Sequence, residues 1–168
     1  MINTSNLGLV IVDMQESFLK KIPEDEVQRL VKKQRRVLEV AVEMDIPVGV
    51  LEYGCGRTIK RIKEIVDRAA RHRYFEKTLA DGFEPKNIIS EVKPQDWFKE
   101  RKVKRLLLSG IYATDCVAST GLGARRAGFE VLVSTPLVNQ NETPEFGFEK
   151  YYYFLGFEMV SYKRLVRR

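Results

Sequence analysis

Cys116 lies in the run Gly110-Ile111-Tyr112-Ala113-Thr114-Asp115-Cys116-Val117, between an apolar strand-like segment and a helix-like one. A thiol at the start of a helix is placed to be a nucleophile. The unpaired N–H groups and roughly half a positive charge at that end favour thiolate and can hold a developing oxyanion. A free cysteine is only a few per cent thiolate at neutral pH, so it needs a group to take its proton. Asp13, at the end of the apolar run Leu7 to Val12, is a candidate base. A lysine beside both would hold them in place and favour the ionised pair, and Lys77 in Phe75-Glu76-Lys77-Thr78-Leu79 is one of many available. Lowering the thiol pKa by about two units takes on the order of 3 kcal/mol, within reach of one ammonium and a helix terminus. Each residue alone also has an ordinary reading: Cys116 as a small buried side chain, Asp13 as a turn or cap residue, Lys77 as a surface lysine.

The elements that must position these groups follow from periodicity. Leu7 to Val12 is a continuous apolar run, as in a strand buried on both faces of a parallel sheet. From Asp25 to Asp45, Val27, Leu30, Val31, Val37, Leu38, Ala41 and Val42 recur at helical spacing, and Ile46 to Leu51 reads as a second strand. Thr58 to Ala70 predicts a basic amphipathic helix, with His72 a surface histidine at its end. Asn87 to Val92 and Gln95 to Arg101 predict short helical pieces separated by Pro94. Arg105 to Ser109 as strand, Asp115 to Ala127 as helix ending at Gly128, and Glu130 to Ser134 as strand resume the alternation. Thr143 to Leu155 predicts a last helix, and Phe157 to Ser161 a last strand before a basic tail. The pattern implies an α/β fold, three-layer and doubly wound (Rossmann-like), with a mostly parallel sheet and helices on both faces. Ligands bind such sheets beyond the carboxyl ends of the strands, where Asp13, Glu52 and Cys116 all fall.

Composition narrows the classes further. A chain of 168 residues suits one domain, 1–168, able to bury about 70% of its unfolded surface. With 44% hydrophobic and 31% charged residues, and no apolar run near the span of a bilayer, it reads as soluble and cytoplasmic. The polar start Met1 to Asn6 and the short Leu7 to Val12 run do not make a secretion signal. Two cysteines, Cys55 and Cys116, make no disulfide framework, and with His72 the lone histidine there is no usual zinc set. Any metal would need to be held mostly by carboxylates, and no cofactor is expected. Cys55 reads as an inert loop thiol. The formal charge of +6, with basic runs at Arg57 to Arg73 and Lys163 to Arg168, raises a second reading as a noncatalytic protein binding nucleic acid or an acidic partner. Mixing of Lys, Arg and Glu along those runs favours a solvated, ion-paired surface instead.

Three pieces in order, Val10-Ile11-Val12-Asp13-Met14-Gln15 with Phe18, Glu76-Lys77 with Phe83, and Gly110-Ile111 with Cys116-Val117, resemble the isochorismatase-like cysteine hydrolase family over nearly the whole chain. The resemblance implies a triad of Asp13 as base, Lys77 as orienting cation and Cys116 as nucleophile. It also implies a cis peptide between Ile111 and Tyr112, with the Tyr112 and Cys116 amides facing the substrate oxyanion. Phe18, Phe83 and Tyr112 read as pocket walls or as core aromatics, and Glu52 as a pocket wall or a structural hydrogen-bonding residue. Nicotinamidases of the family bind a metal through an Asp-x-His element after the second strand. Here the segment reads Leu51-Glu52-Tyr53-Gly54-Cys55-Gly56-Arg57-Thr58, which argues against both the metal and nicotinamide. It is similar instead to the isochorismatase-domain-containing branch, whose substrates are unassigned. Isochorismate hydrolases proper replace the cysteine, so Cys116 argues against vinyl-ether cleavage. The resemblance implies a homo-oligomer, dimer or tetramer, and the cluster Tyr151-Tyr152-Tyr153-Phe154 offers apolar contact area. The expected chemistry is hydrolysis of a non-peptide C–N bond in a small amide or related compound, through a thioester.

Overall fold

A computed structural model describes residues 4–140 and 142–166. Its centre is a six-stranded parallel sheet. The strands are β1 (Leu7–Val12), β2 (Val48–Tyr53), β3 (His72–Lys77), β4 (Arg105–Gly110), β5 (Glu130–Val138) and β6 (Glu158–Met159), in the spatial order β3-β2-β1-β4-β5-β6. Helices α1 (Glu16–Leu19), α2 (Glu24–Glu43), α3 (Lys60–Val66), α4 (Pro94–Glu100), α5 (Ala118–Arg126), α6 (Gly147–Phe154) and α7 (Tyr162–Val166) complete the chain.

Every residue of β1 is buried, because the strand is central and covered on both sides. Two cores result. Leu9, Ile11, Val48 and Val50 pack with Leu30, Val37 and Leu38 of α2, Ile62 and Ile65 of α3, and Leu165 of α7. On the other face Val10, Val12, Leu51 and Phe75 pack with Trp97 and Phe98 of α4, Ala118 and Ala124 of α5, and Tyr152 of α6. The α2 stripe expected from spacing faces the sheet, with Glu24, Asp25 and Glu26 in its first turn, where carboxylates suit the positive end of the helix.

Several expected elements differ. His72 opens β3 rather than closing a basic helix, and its Nδ1 lies 2.7 Å from the Ala69 carbonyl. The strand was hidden because an edge position admits the charged side chains of His-Arg-Tyr-Phe-Glu-Lys. Residues Asn87 to Val92 do not form a helix: a single 3₁₀ turn, Pro85–Asn87, is followed by extended chain. Ile88 there bridges Lys77, and the Ile89 N–H bonds the Glu76 carbonyl at 3.0 Å, covering the free edge of β3. Pro94 lies in the first turn of α4, where its missing N–H costs nothing, rather than separating two helices. The last helix begins at Gly147 rather than Thr143, β6 spans two residues, and much of the basic tail is α7. Arg167 and Arg168 lie outside the described residues.

Candidate active site

Strand order reverses direction between β1 and β4, so the chains leaving those two strands diverge and open a crevice. Asp13 follows β1 and Cys116 lies just beyond β4. The close approach depends on Gly110, at φ 144°: a Cβ there would meet the Val12 carbonyl oxygen at 2.1 Å. Asp13 itself adopts φ 52°, a left-handed conformation that aspartate tolerates better than most residues. Its N–H bonds the Leu51 carbonyl at 3.0 Å, and Gln15 locks the following turn. The Gln15 Oε1 accepts from the Tyr53 N–H at 2.7 Å and its Nε2 donates to the Tyr53 carbonyl at 3.1 Å.

Lys77 is the last residue of β3, in register with Tyr53 of β2. Register partners share a face of a sheet, so Lys77 and Tyr53 point one way and Glu52 and Glu76 the other. The Lys77 Nζ stands 2.8 Å from Asp13 Oδ2, both side chains fully buried. It donates to the carbonyls of Leu79 at 3.2 Å and Ala80 at 3.3 Å, and lies 5.1 Å from the centre of the Tyr53 ring.

Cys116 sits in a π-helical turn, Ala113–Val117, that leads into α5. The Tyr152 hydroxyl donates to the Ala113 carbonyl at 2.6 Å, and Gln140 Oε1 accepts from both the N–H and the hydroxyl of Thr114. The thiol faces the Asp13 carboxylate closely enough for each to act on the other's ionisation. Beyond the ion pair with Lys77, neither carboxylate oxygen receives a donor in good hydrogen-bond geometry. A buried carboxylate with acceptor capacity to spare is costly, and such groups concentrate at sites of chemistry.

Burial holds the Asp13 carboxyl above the usual carboxylate range, although the Lys77 ammonium opposes the shift. Burial, with the Asp13 charge second, pushes the Cys116 thiol up to about 12. Desolvation of the anion opposes the ionisation that a helix terminus is expected to favour. A thiol held up by burial calls for a base in contact.

The Ile111–Tyr112 peptide is cis. Phe18 and Tyr112 meet edge to face at 5.8 Å, and Phe18 meets Tyr53 at 5.9 Å, forming an aromatic rim. The other expected walls lie elsewhere. Glu52 is occupied on the far face of β2, where its carboxylate accepts the Thr58 N–H at 2.7 Å and pairs with Arg57 at 3.3 Å. The Phe83 ring is committed to the core, stacked on Phe98 at 6.2 Å and against Phe129 at 5.7 Å. Gln140 and Thr120 were not singled out in the sequence, and Gln15 and Tyr53 stand in the quoted motifs without a role of their own. Among the described residues no three His, Cys, Asp or Glu side chains are grouped as a metal would require.

A model of the Isochorismatase domain matches residues 8–138, and the chain belongs to that family. Its parallel sheet, flanked by helices, is the α/β fold of isochorismatase-like hydrolases. Among solved structures it is similar to the MAR1 ribonuclease of Caenorhabditis elegans, at 25% identity and TM-score 0.79, covering 98% of this chain and 81% of that one. It also resembles the N-carbamoylsarcosine amidase of Thermoplasma acidophilum, at 18% identity and TM-score 0.75, covering 93% and 96%. The nicotinamidase SaPncA of Staphylococcus aureus aligns at 19% identity and TM-score 0.73, covering 92% and 99%. No curated protein sequence matches the chain.

Proposed function

We propose that this chain is a metal-independent cysteine hydrolase of a non-peptide C–N bond in a small amide or related compound. The observation that carries the reading is the buried Asp13–Lys77 pair at 2.8 Å with the Cys116 thiol against the same carboxylate. Asp13 takes the S–H proton as sulfur attacks the carbonyl carbon. The Tyr112 and Cys116 amides hold the oxyanion, each such donor being worth about 3 kcal/mol in the transition state. Collapse breaks the C–N bond, and the proton on Asp13 passes to the departing ammonia or amine. Water then attacks the thioester, gives its proton to Asp13, and the thiol is restored. Family membership and the likeness to an N-carbamoylsarcosine amidase support amide chemistry. The likeness to a ribonuclease supports including RNA among the compounds screened.

The test is mass spectrometry of Cys116 labelling by iodoacetamide in the wild type and in Asp13→Asn and Lys77→Met variants, beside a screen of small amides. Altered labelling rates in the variants and turnover that vanishes in Cys116→Ser support the triad. Unchanged labelling rates in both variants overturn it.

The same reading includes self-association as a dimer or tetramer. Phe146, Tyr153 and Phe154 of the α6 region are 52%, 72% and 67% exposed and touch one another, an apolar patch of the kind copies bury. A neighbour of similar fold, the Escherichia coli YcaC product, is described as an octameric hydrolase.

A further inference from the structure

The +6 formal charge is unevenly placed. Four of the seven Lys and Arg in the basic run 57–73 are paired: Arg57 meets Glu52, Lys60 meets Glu64, Lys63 meets Asp67 and Arg71 meets Asp45. One face of α2 is different. Arg29, Lys32, Lys33 and Arg36 stand at i, i+3, i+4 and i+7, so they form a single stripe along the helix. With Arg35 and Arg61 they line a cleft of about 730 Å³ in which Glu39 is the one carboxylate. Arg29 has Asp25 at 2.7 Å and Arg36 has Glu39 at 3.5 Å. Among the described residues no carboxylate is within ion-pair distance of Lys32, Lys33, Arg35 or Arg61, and the Arg35 guanidinium donates to the Arg61 carbonyl instead.

The cleft continues at both sides. One adjoining cleft shares Arg29 and Lys33 and runs to Asn139 beyond the end of β5; another shares Lys33 and Tyr162 and runs to Lys163. Lys33, 5.1 Å from the centre of the Tyr162 ring, stands at their junction. The result is a track of three adjoining clefts, with cations concentrated along α2 and the carboxylates Glu26 and Glu149 in the two flanking clefts.

We propose that this track binds the phosphodiester backbone of single-stranded nucleic acid. Adjoining concavities with cations repeated along one helix face suit a flexible polyanion, which tracks such grooves through its phosphates. An acidic protein segment would call for side-chain pockets between the charges, whereas the α2 cleft sets six cations against the single carboxylate Glu39. An anionic membrane surface would call for apolar side chains to insert. None of the exposed large apolar residues, Met44, Tyr53, Leu79, Ile89, Phe146, Tyr153 and Phe154, lines the three clefts. The basic runs that the sequence assigns to a solvated surface are other residues for the most part; the α2 stripe becomes visible once the helix places its cations on one face.

The test is fluorescence anisotropy of a labelled mixed-sequence oligonucleotide titrated with the full chain across a salt series. Three proteins are compared: wild type, a Lys32→Ser/Lys33→Ser/Arg61→Ser variant, and a Lys99→Ser/Lys102→Ser/Lys104→Ser variant of equal net charge. The expected result is a steep salt dependence whose slope falls by about 2 when the three track cations are lost, since each single-strand phosphate contact contributes about 0.7. The second variant is expected to keep the wild-type slope. Equal weakening in both variants, absence of binding at low salt, or competition by poly-glutamate or anionic vesicles as effective as by unlabelled oligonucleotide each overturns the proposal. Thermal unfolding midpoints confirm that all three proteins are folded.

Discussion

Asp13 combines two properties that pull against each other: full burial, which favours the neutral acid, and an ammonium 2.8 Å away, which favours the carboxylate. Burial prevails, and the base must still be ionised to accept the thiol proton. The proposed activity, read as kcat/KM, is therefore expected to rise with pH through a midpoint above the ordinary carboxylate range. With the thiol at about 12, no second rise from free thiolate is expected up to about pH 10. Removing the ammonium in Lys77→Met takes away the opposing influence, so the midpoint moves to higher pH. Breaking a buried pair also costs about 3–5 kcal/mol, visible as a lower Tm. Asp13→Asn is expected to lose about 100- to 10,000-fold in rate, the usual contribution of a positioned base. A midpoint within the normal carboxylate range in the wild type, or no movement in Lys77→Met, counts against this coupling.

Two elements are tied together beside the triad by one hydroxyl. Thr120, fully buried on α5 one turn after Cys116, donates to the Ala80 carbonyl at 3.2 Å and accepts from the Gly82 N–H at 3.2 Å. Ala80 is also one of the carbonyls that hold the Lys77 ammonium, so the same loop joins the cysteine helix to the lysine. Thr120→Val leaves a buried N–H and carbonyl without that partner, at about 1–3 kcal/mol. The expected result is a lowered Tm with a fall in kcat, and recovery of both in Thr120→Ser. Failure of serine to restore kcat would make methyl packing, not the bridge, the cause. Such ties were not legible in the sequence. Leu7 to Val12 and the α2 stripe could be read from period alone, because burial on both faces or on one leaves a local signature. The edge strand holding Lys77 could not, because its hydrogen bonds come from β2 and from the Ile88 segment, far away along the chain.

At the scale of the whole molecule, two surfaces carry features that the interior does not require: the aromatic patch around Phe154 and the cationic track along α2. Substituting Tyr153 and Phe154 with serine is expected to lower the mass of the particle in light scattering without altering the fold seen by circular dichroism. An unchanged mass assigns any assembly to another face. Among the described residues no helix is long and apolar enough to cross a membrane. The sequence by itself determined the α/β alternation, the strand-end placement of Asp13 and Cys116, and the resemblance that joined Lys77 to them, since these rest on residue type, order and local period. Only the tertiary structure decided that Glu52 faces away and that Phe83 belongs to the core. It also buried the thiol against Asp13 and gathered five α2 cations and Arg61 in one groove. Those outcomes depend on register, desolvation and neighbours remote in the chain, none of which a local pattern encodes.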